Sequence, residues 1–405
     1  MDCIRCKGNV RSQFSCGKTF CPLLQKFKNS MPKTSLNFSG SSPPDLFVGQ
    51  YNYPNVFTGI LAPAEHNENA EKLSSPESWF KEKLSIDNIL KNRGSMIYSR
   101  FVSNIKKSNK LLETMQEVSM AYKPCDIEFI LAKKPKISFE LNNRTAPIGN
   151  PAPLLKATFQ ENPKIERKVD YVVSDYDLNA TDALYTLYKK NNSISSMIKL
   201  LSAGLLGIKK QRKLVPTRWS CTSVDSILSK KLIQEIKYFS FIDKYLVFSG
   251  EYLGNHYEIV LLPRQWSFEV IESKMQGSIW NPNSSSTQYI RDYEDYYGRK
   301  KYAHNVTGAY YANRLAVTEY LKKIKKQASI LVLREVKPSY YAPCGVGILR
   351  ELTRDLFKKK PLVFNSLEES FNNIKQRLNL PLKKYISNSL LLNEVKKQTN
   401  LNQFM

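Results

Sequence analysis

Histidine is almost missing: His66, His256 and His304 are the three in a chain of 405 residues. None pairs with another at helical spacing, which excludes the His-Glu-x-x-His metal site of zinc hydrolases. Glycine is sparse at 16 residues, and neither a Gly-rich phosphate loop nor a Gly-x-Ser-x-Gly turn occurs. That removes P-loop nucleotide hydrolysis and the nucleophile elbow. The longest apolar run, Ser195 to Ile208, is too short to cross a bilayer and carries Lys199 inside it. It reads as a core helix. A cysteine pair of metal-binding type stands where a secretory leader would begin, so a soluble, cytoplasmic protein with no membrane partner is expected. In that compartment cysteines are thiols or metal ligands rather than disulfides. No internal repeat and no heptad run is present.

Acids are scarce too, 36 against 61 Lys and Arg, for a formal charge of +25. Such a field favours a polyanion such as nucleic acid, in affinity and in encounter rate. The competing source of this charge is the Lys- and Asn-rich habit of AT-rich genomes. With 42% hydrophobic residues, the chain can bury a core and has room for two to three domains.

Four of the seven cysteines, Cys3, Cys6, Cys16 and Cys21, lie in one short basic segment as C-x2-C-x9-C-x4-C. Four thiolates at that spacing close a tetrahedral shell around one zinc ion and leave no position for water, so the expected site is structural. A segment this small folds on metal binding rather than apolar burial. Arg5, Lys7, Arg11 and Lys18 surround the ligands, which suits either a DNA contact or a simple staple to the body. Cys125, Cys221 and Cys344 stand singly and read as small hydrophobes.

The patterning predicts an α+β chain: a small zinc module over 1–28, a mixed α/β body over 29–282, an α/β part over 283–392, and a mobile tail over 393–405. Residues 29–44, rich in Ser, Pro and Asn, read as a linker. A helix is expected from Ser78 to Asn92, strands at 126–132 and 136–141, and helices at 179–190 and 194–206. Runs at 244–253, 256–262 and 267–273 read as an antiparallel meander. The Asn-Pro-Asn-Ser string from Asn281 marks a boundary. Beyond it come a helix over 307–327, a strand at Ile330–Leu333, a helix through Ile348 and Leu356, and a short strand at Leu362–Phe364. Ser366 and Glu369 form a capping box for a last packed helix.

The chain ends Gln398-Thr399-Asn400-Leu401-Asn402-Gln403-Phe404-Met405. In a single 3₁₀ turn positions three apart eclipse, so Leu401 and Phe404 point together with Met405 beside them. Gln-x-x-Leu-x-x-Phe-hydrophobic resembles the PIP box, a peptide that docks on the sliding clamp PCNA. Met405 stands where a second aromatic is usual. The competing reading is a polar tail with two apolar residues at its end.

Several strings coincide with one family. They are Ser42-Pro43-Pro44, Phe47-Val48-Gly49, Tyr53-Pro54, Val215 to Ser220, Gly298 to Ala303, Tyr310 to Val317, and Gly345-Val346 before Arg350-Glu351. With the cysteine module and the terminal peptide, the chain resembles the archaeal Nre family of DNA repair proteins over almost its full length. The resemblance implies a role in DNA damage repair, an amino-terminal four-cysteine metal site, contact with PCNA, and a place at the nucleoid. It brings no reaction and no catalytic residues.

Arg218, Arg299, Arg314 and Arg350 lie within or beside these strings, near aromatic residues, and form the candidate DNA-facing set. Guanidinium groups hold phosphate and stack on bases. Internal pairing with Asp225, Glu319 or Glu351 is the structural alternative. Whether the chain is an enzyme stays open. The enzymatic reading is a metal-dependent nuclease using Asp170, Asp175, Asp177 and Asp182, or Glu251, Glu258, Glu269 and Glu272. Alternation would place Glu258 on a solvated strand face.

Overall fold

The structure, a computed structural model, describes residues 30, 32, 35–136, 147–282 and 285–397. The chain divides into two compact units, Asp2–Leu228 with Ala342–Ile348, and Ser229–Tyr341 with Leu349–Met405.

In the first unit a six-stranded mixed sheet is built from β1 (Asn37–Ser42), β2 (Asp45–Val48), β3 (Asn55–Pro63), β4 (Met96–Asn104), β5 (Cys125–Leu131) and β6 (Asn150–Phe159). Its order is β1-β5-β6-β4-β3-β2, antiparallel throughout except where β4 runs parallel to β6. Val56, Ile60 and Ile97 are fully buried on one face. α3 (Lys110–Met120) packs there, with the Thr58 hydroxyl donating to the Met115 sulfur at 3.1 Å. On the opposite face Phe57 and Val102, directly paired across β3 and β4, stay exposed.

Among the described residues the further α-helices of this unit are α1 (Pro76–Lys81), α2 (Ile86–Gly94), α4 (Arg167–Ser174), α5 (Ala180–Lys189) and α6 (Ile194–Ser202). α1, α2, α3, α5 and α6 each open on a Ser or Asn whose side-chain oxygen accepts the N–H three residues on. That satisfies one orphan donor of the first turn. The single helix expected over 78–92 is two. Leu84 N–H closes on Trp79 C=O at 3.0 Å, Lys83 takes a positive φ of 52°, and Ser85 caps a new start. This is a Schellman ending followed at once by a fresh cap. Part of the stretch read as a linker, residues 37–42, is instead edge strand β1, paired with β5. Of the strand expected at 136–141, residues 137–141 lie outside the described residues.

α7 (Thr217–Ile236) leads into the second unit. There the sheet comprises β7 (Tyr245–Tyr252), β8 (Asn255–Leu262), β9 (Ser267–Lys274), β10 (Gln288–Glu294), β11 (Ser329–Val336) and β12 (Leu362–Phe364), ordered β10-β9-β11-β8-β7-β12. β7 and β8 form the expected hairpin. β9 does not continue it, because β11 lies between, antiparallel to β8 and parallel to β9. The segment 281–286 connects β9 to β10 within this one sheet. β8 and β11 are buried at every position. Helices cover both faces, which explains this. α8 (Gly308–Ile324) and α9 (Gly347–Leu356) take one side, where Phe268 meets Tyr310 edge-on at 5.1 Å. α10 (Leu367–Lys375), α11 (Leu382–Asn388) and α12 (Leu390–Lys397) pack on the other, around Val260, Ile271, Leu331 and Leu333.

The fold is thus mixed α/β with two mixed sheets. Among the described residues no helix is long and apolar enough to cross a membrane.

Candidate nucleic-acid interface

The arginines singled out in the sequence divide sharply by environment. Arg314, on α8, is 2% exposed. Its Nη1 lies 2.6 Å from Glu294 Oε2 and its Nε 3.0 Å from Ser229 Oγ. The guanidinium sits 5.7 and 5.3 Å from the rings of Tyr310 and Tyr311. Burial, then the Glu294 charge, pushes the Tyr310 hydroxyl well above its ordinary range. Arg299 is bound by its own loop: it donates to Asp292 at 3.0 Å, to Tyr293 C=O at 2.8 Å and to Tyr302 C=O at 3.1 Å. Asp292 also accepts the N–H groups of Asn305 and Val306. Arg350 is buried, with Glu351 at 3.7 Å. Arg314 and Arg350 therefore have the geometry of internal ion pairs, withdrawn from any phosphate. Glu294 is the partner of Arg314, while Glu319 and Glu351 pair with Arg354.

Arg218 differs. It is partly exposed in the first turn of α7, next to Trp219. Val48 N–H donates to Thr217 Oγ1 at 2.9 Å and ties the start of this helix to edge strand β2. Trp219, 45% exposed, lies 5.6 Å from the ring of Tyr53. Tyr51, in the same β2–β3 turn, is 71% exposed. Phe57 follows on β3 with the Arg100 guanidinium 4.3 Å from its ring. Strings far apart in sequence, Phe47 to Gly49, Tyr53-Pro54 and Val215 to Ser220, meet here.

A second cationic surface runs over α4, α5 and the turn at Lys209–Gln211. Lys190 lies 5.1 Å from the Tyr171 ring, Lys189 4.5 Å from Tyr185, and Lys209 4.4 Å from Tyr176. Arg212 lies 5.0 Å from Tyr176 and donates to the carbonyls of Gly207, Val173 and Asp175. Tyr171, Tyr176, Lys210 and Lys213 are exposed.

Most of the acids considered for metal catalysis are engaged elsewhere. Glu258 is buried rather than solvated and accepts both guanidinium arms of Arg377 at 2.8 Å. Glu272 pairs with buried Arg334, Glu251 with Lys337, and Glu269 accepts from Ser389 and Leu390. Asp175 caps a turn through Asp177 and Leu178, and Asp182 bonds to Asn179. Among the described residues no group of three His, Cys, Asp or Glu is placed to hold a metal ion. Cys3, Cys6, Cys16 and Cys21, and Gln398, Leu401, Phe404 and Met405, lie outside the described residues. Cys125 and Cys344 are buried, as a small-hydrophobe role requires.

The family model "Archaeal Nre, N-terminal" matches residues 15–281, and "Archaeal Nre, C-terminal" matches 294–404. The chain belongs to the archaeal Nre family. Among its Nre relatives, the "DNA repair protein NreB" of Archaeoglobus fulgidus is 35% identical, over 98% of this chain and 99% of the relative. "DNA repair protein NreA" of the same organism is 38% identical, over 93% of each. "DNA repair protein NreA" of Haloferax volcanii is 37% identical, over 83% of this chain and 82% of the relative. No solved structure matches the Nre chain. The lysine–tyrosine surface of this Nre protein is the feature the sequence reading passed over. Its signal was the run Lys209-Lys210-Gln211-Arg212-Lys213 together with tyrosines at 171, 176, 185 and 188.

Proposed function

We propose that this protein is a DNA-damage repair factor that binds DNA through its first unit and is recruited to the sliding clamp PCNA by residues 398–405. The observation that carries DNA binding is the surface of Lys189, Lys190, Lys209 and Arg212 interleaved with Tyr171, Tyr176 and Tyr185. Cations can hold phosphates and exposed rings can stack on bases, so the mixture suits a nucleic-acid strand. The printed names of the Nre relatives support repair as the setting, and the formal charge of +25 is consistent with a polyanion partner. The cytoplasmic protein would then work at the nucleoid. One zinc ion on Cys3, Cys6, Cys16 and Cys21 would fold the amino-terminal segment.

Lys209→Glu with Lys210→Glu tests the DNA reading. Both side chains are exposed, so the double variant should keep its melting temperature while DNA affinity falls at least tenfold, read by fluorescence anisotropy. Unchanged affinity would move the DNA interface elsewhere. For the clamp, a peptide of residues 393–405 should bind PCNA of the same organism by itself. Phe404→Ala should weaken it most, Leu401→Ala next and Gln398→Ala less, because a ring filling a desolvated pocket dominates such contacts. Met405→Phe should tighten it. Equal clamp binding by the full chain and a chain lacking residues 398–405 would refute recruitment by the tail.

A further inference from the structure

The patch at the β2–β3 turn has a different chemistry from the lysine-rich surface. Tyr51, Tyr53, Phe57, Val102 and Trp219 are all large apolar side chains left exposed on the first unit, Tyr51 and Tyr53 in the β2–β3 turn with Trp219 beside Tyr53, and Phe57 and Val102 paired on the strands that follow. Monomeric proteins seldom leave such a group open without a use for it. Tyr53 and Trp219 lie 5.6 Å and 42° from each other, a tilted rather than a stacked pair. The Val48–Thr217 hydrogen bond fixes the helix start that presents Trp219. Phe57 and Val102 stand opposite each other on β3 and β4, and the Gly59–Arg100 pair lies one step along the same face. The Arg100 guanidinium lies over the Phe57 ring, 4.3 Å from its centroid; Gly59 itself is required by the close approach of β4, where a Cβ would meet the Ser99 carbonyl oxygen at 2.0 Å.

Cations border these rings. Arg218 precedes Trp219, and exposed Lys106 and Lys107 follow the end of β4 beside the β2–β3 turn, where Ile105 N–H donates to Pro54 C=O at 3.0 Å. Among the described residues no ion pair takes up Arg100, Arg218, Lys106 or Lys107. Exposed rings at Tyr53 and Trp219, a guanidinium stacked on Phe57 and bordering cations fit one class of polyanion. Duplex DNA hides its base faces in the stack, whereas a single strand offers them. A protein partner matching this patch would need acids around an apolar centre; a single strand supplies charge and flat rings at every step.

We propose that this patch is a binding site for single-stranded DNA, with bases stacking on Trp219 and Tyr53 and over the Arg100–Phe57 pair, and with Arg218, Lys106 and Lys107 on the phosphates. The proposal rests on the DNA-binding reading above and adds to the lysine–tyrosine surface a second site, specific for a single strand. It makes Trp219 a reporter, because Trp79 and Trp266 are buried and Trp280 half-buried.

The experiment uses the full chain, a thymidine oligonucleotide of about 20 nucleotides and a duplex of equal length, long enough to span a typical stacking site. Titration with the single strand should quench tryptophan fluorescence saturably, and the duplex should compete at least tenfold more weakly. By anisotropy of a labelled strand, Trp219→Ala and Phe57→Ala should each lower single-strand affinity about tenfold, the loss of one stacked base. Tyr51→Ala, at a position too exposed to support the fold, should lower it in the same direction. Duplex affinity should stay within about twofold in all three. Folding is checked by thermal melting, and Trp219→Phe should restore most of the single-strand affinity. If single-strand affinity survives all three alanine changes, the stacking site is wrong while DNA binding stands. If the unaltered chain binds neither form of DNA, the DNA reading falls and takes this site with it.

Discussion

Arg314 and Arg218 show how one residue type serves opposite ends. Arg314 is enclosed with Glu294, and removing either partner leaves a charge in a place where water cannot reach it. Arg314→Ala should therefore cost about 3–5 kcal/mol of stability, read from urea unfolding midpoints. Arg218→Ala removes a partly exposed guanidinium next to an exposed indole, so its stability cost should stay within about 0.5 kcal/mol while DNA binding weakens. A stable Arg314→Ala protein would mean that Glu294 finds another partner. Nothing in the local sequence distinguishes the two arginines, since each stands beside aromatic residues. Only the tertiary environment decides which one is enclosed, and this is why the candidate DNA set mixed both kinds.

The central strands and the capped helices declared themselves by period and by cap: β7, β8, β11 and α10 fall within a few residues of where apolar alternation and the Ser366–Glu369 pair put them. β1 and β10 did not. Each is an outer strand of its sheet, with sequences NFSGSS and QYIRDYE, and an outer strand needs fewer apolar residues than a central one. Strand order was hidden too, because spacing along the chain says which segments are strands and not which one comes between them. Glu258 follows from that hidden order. With β8 covered on both sides, its carboxylate lies inside, where burial pushes its pKa up but the hydrogen bonds of Arg377, His256 and Ser249 outweigh this and hold it below the ordinary range. A carboxylate depressed in the folded state contributes stability that is fully present above its unfolded value, about 4.3. That contribution is lost as the pH falls through the lower folded value. Between about pH 5 and pH 3 the melting temperature should thus fall more steeply for the unaltered chain than for Glu258→Gln, followed by circular dichroism.

For the whole chain, an excess of 25 positive charges predicts that DNA affinity falls steeply with salt. The logarithm of the affinity should drop linearly with that of the salt concentration, and the Lys209→Glu, Lys210→Glu protein should show a slope shallower by about two. Separately, the purified chain should carry one zinc ion per molecule, and Cys16→Ser should release it while the melting of the two described sheets stays unchanged. Finding no stoichiometric metal after reducing purification would remove the zinc assignment.

The position of β11 also bears on how the molecule comes off the ribosome. It fills the gap between β8 and β9, yet its residues, 329–336, follow theirs by more than fifty positions. Until that stretch is made, β8 and β9 each present a bare hydrogen-bonding edge to solvent, flanked by Val260, Leu262 and Ile271. Such edges recruit any extended chain nearby. A nascent polypeptide stalled near residue 320 should accordingly be a client for chaperones, and one released there should aggregate. A chain stopped after α12, short of its last eight residues, already has every strand of the described residues in place.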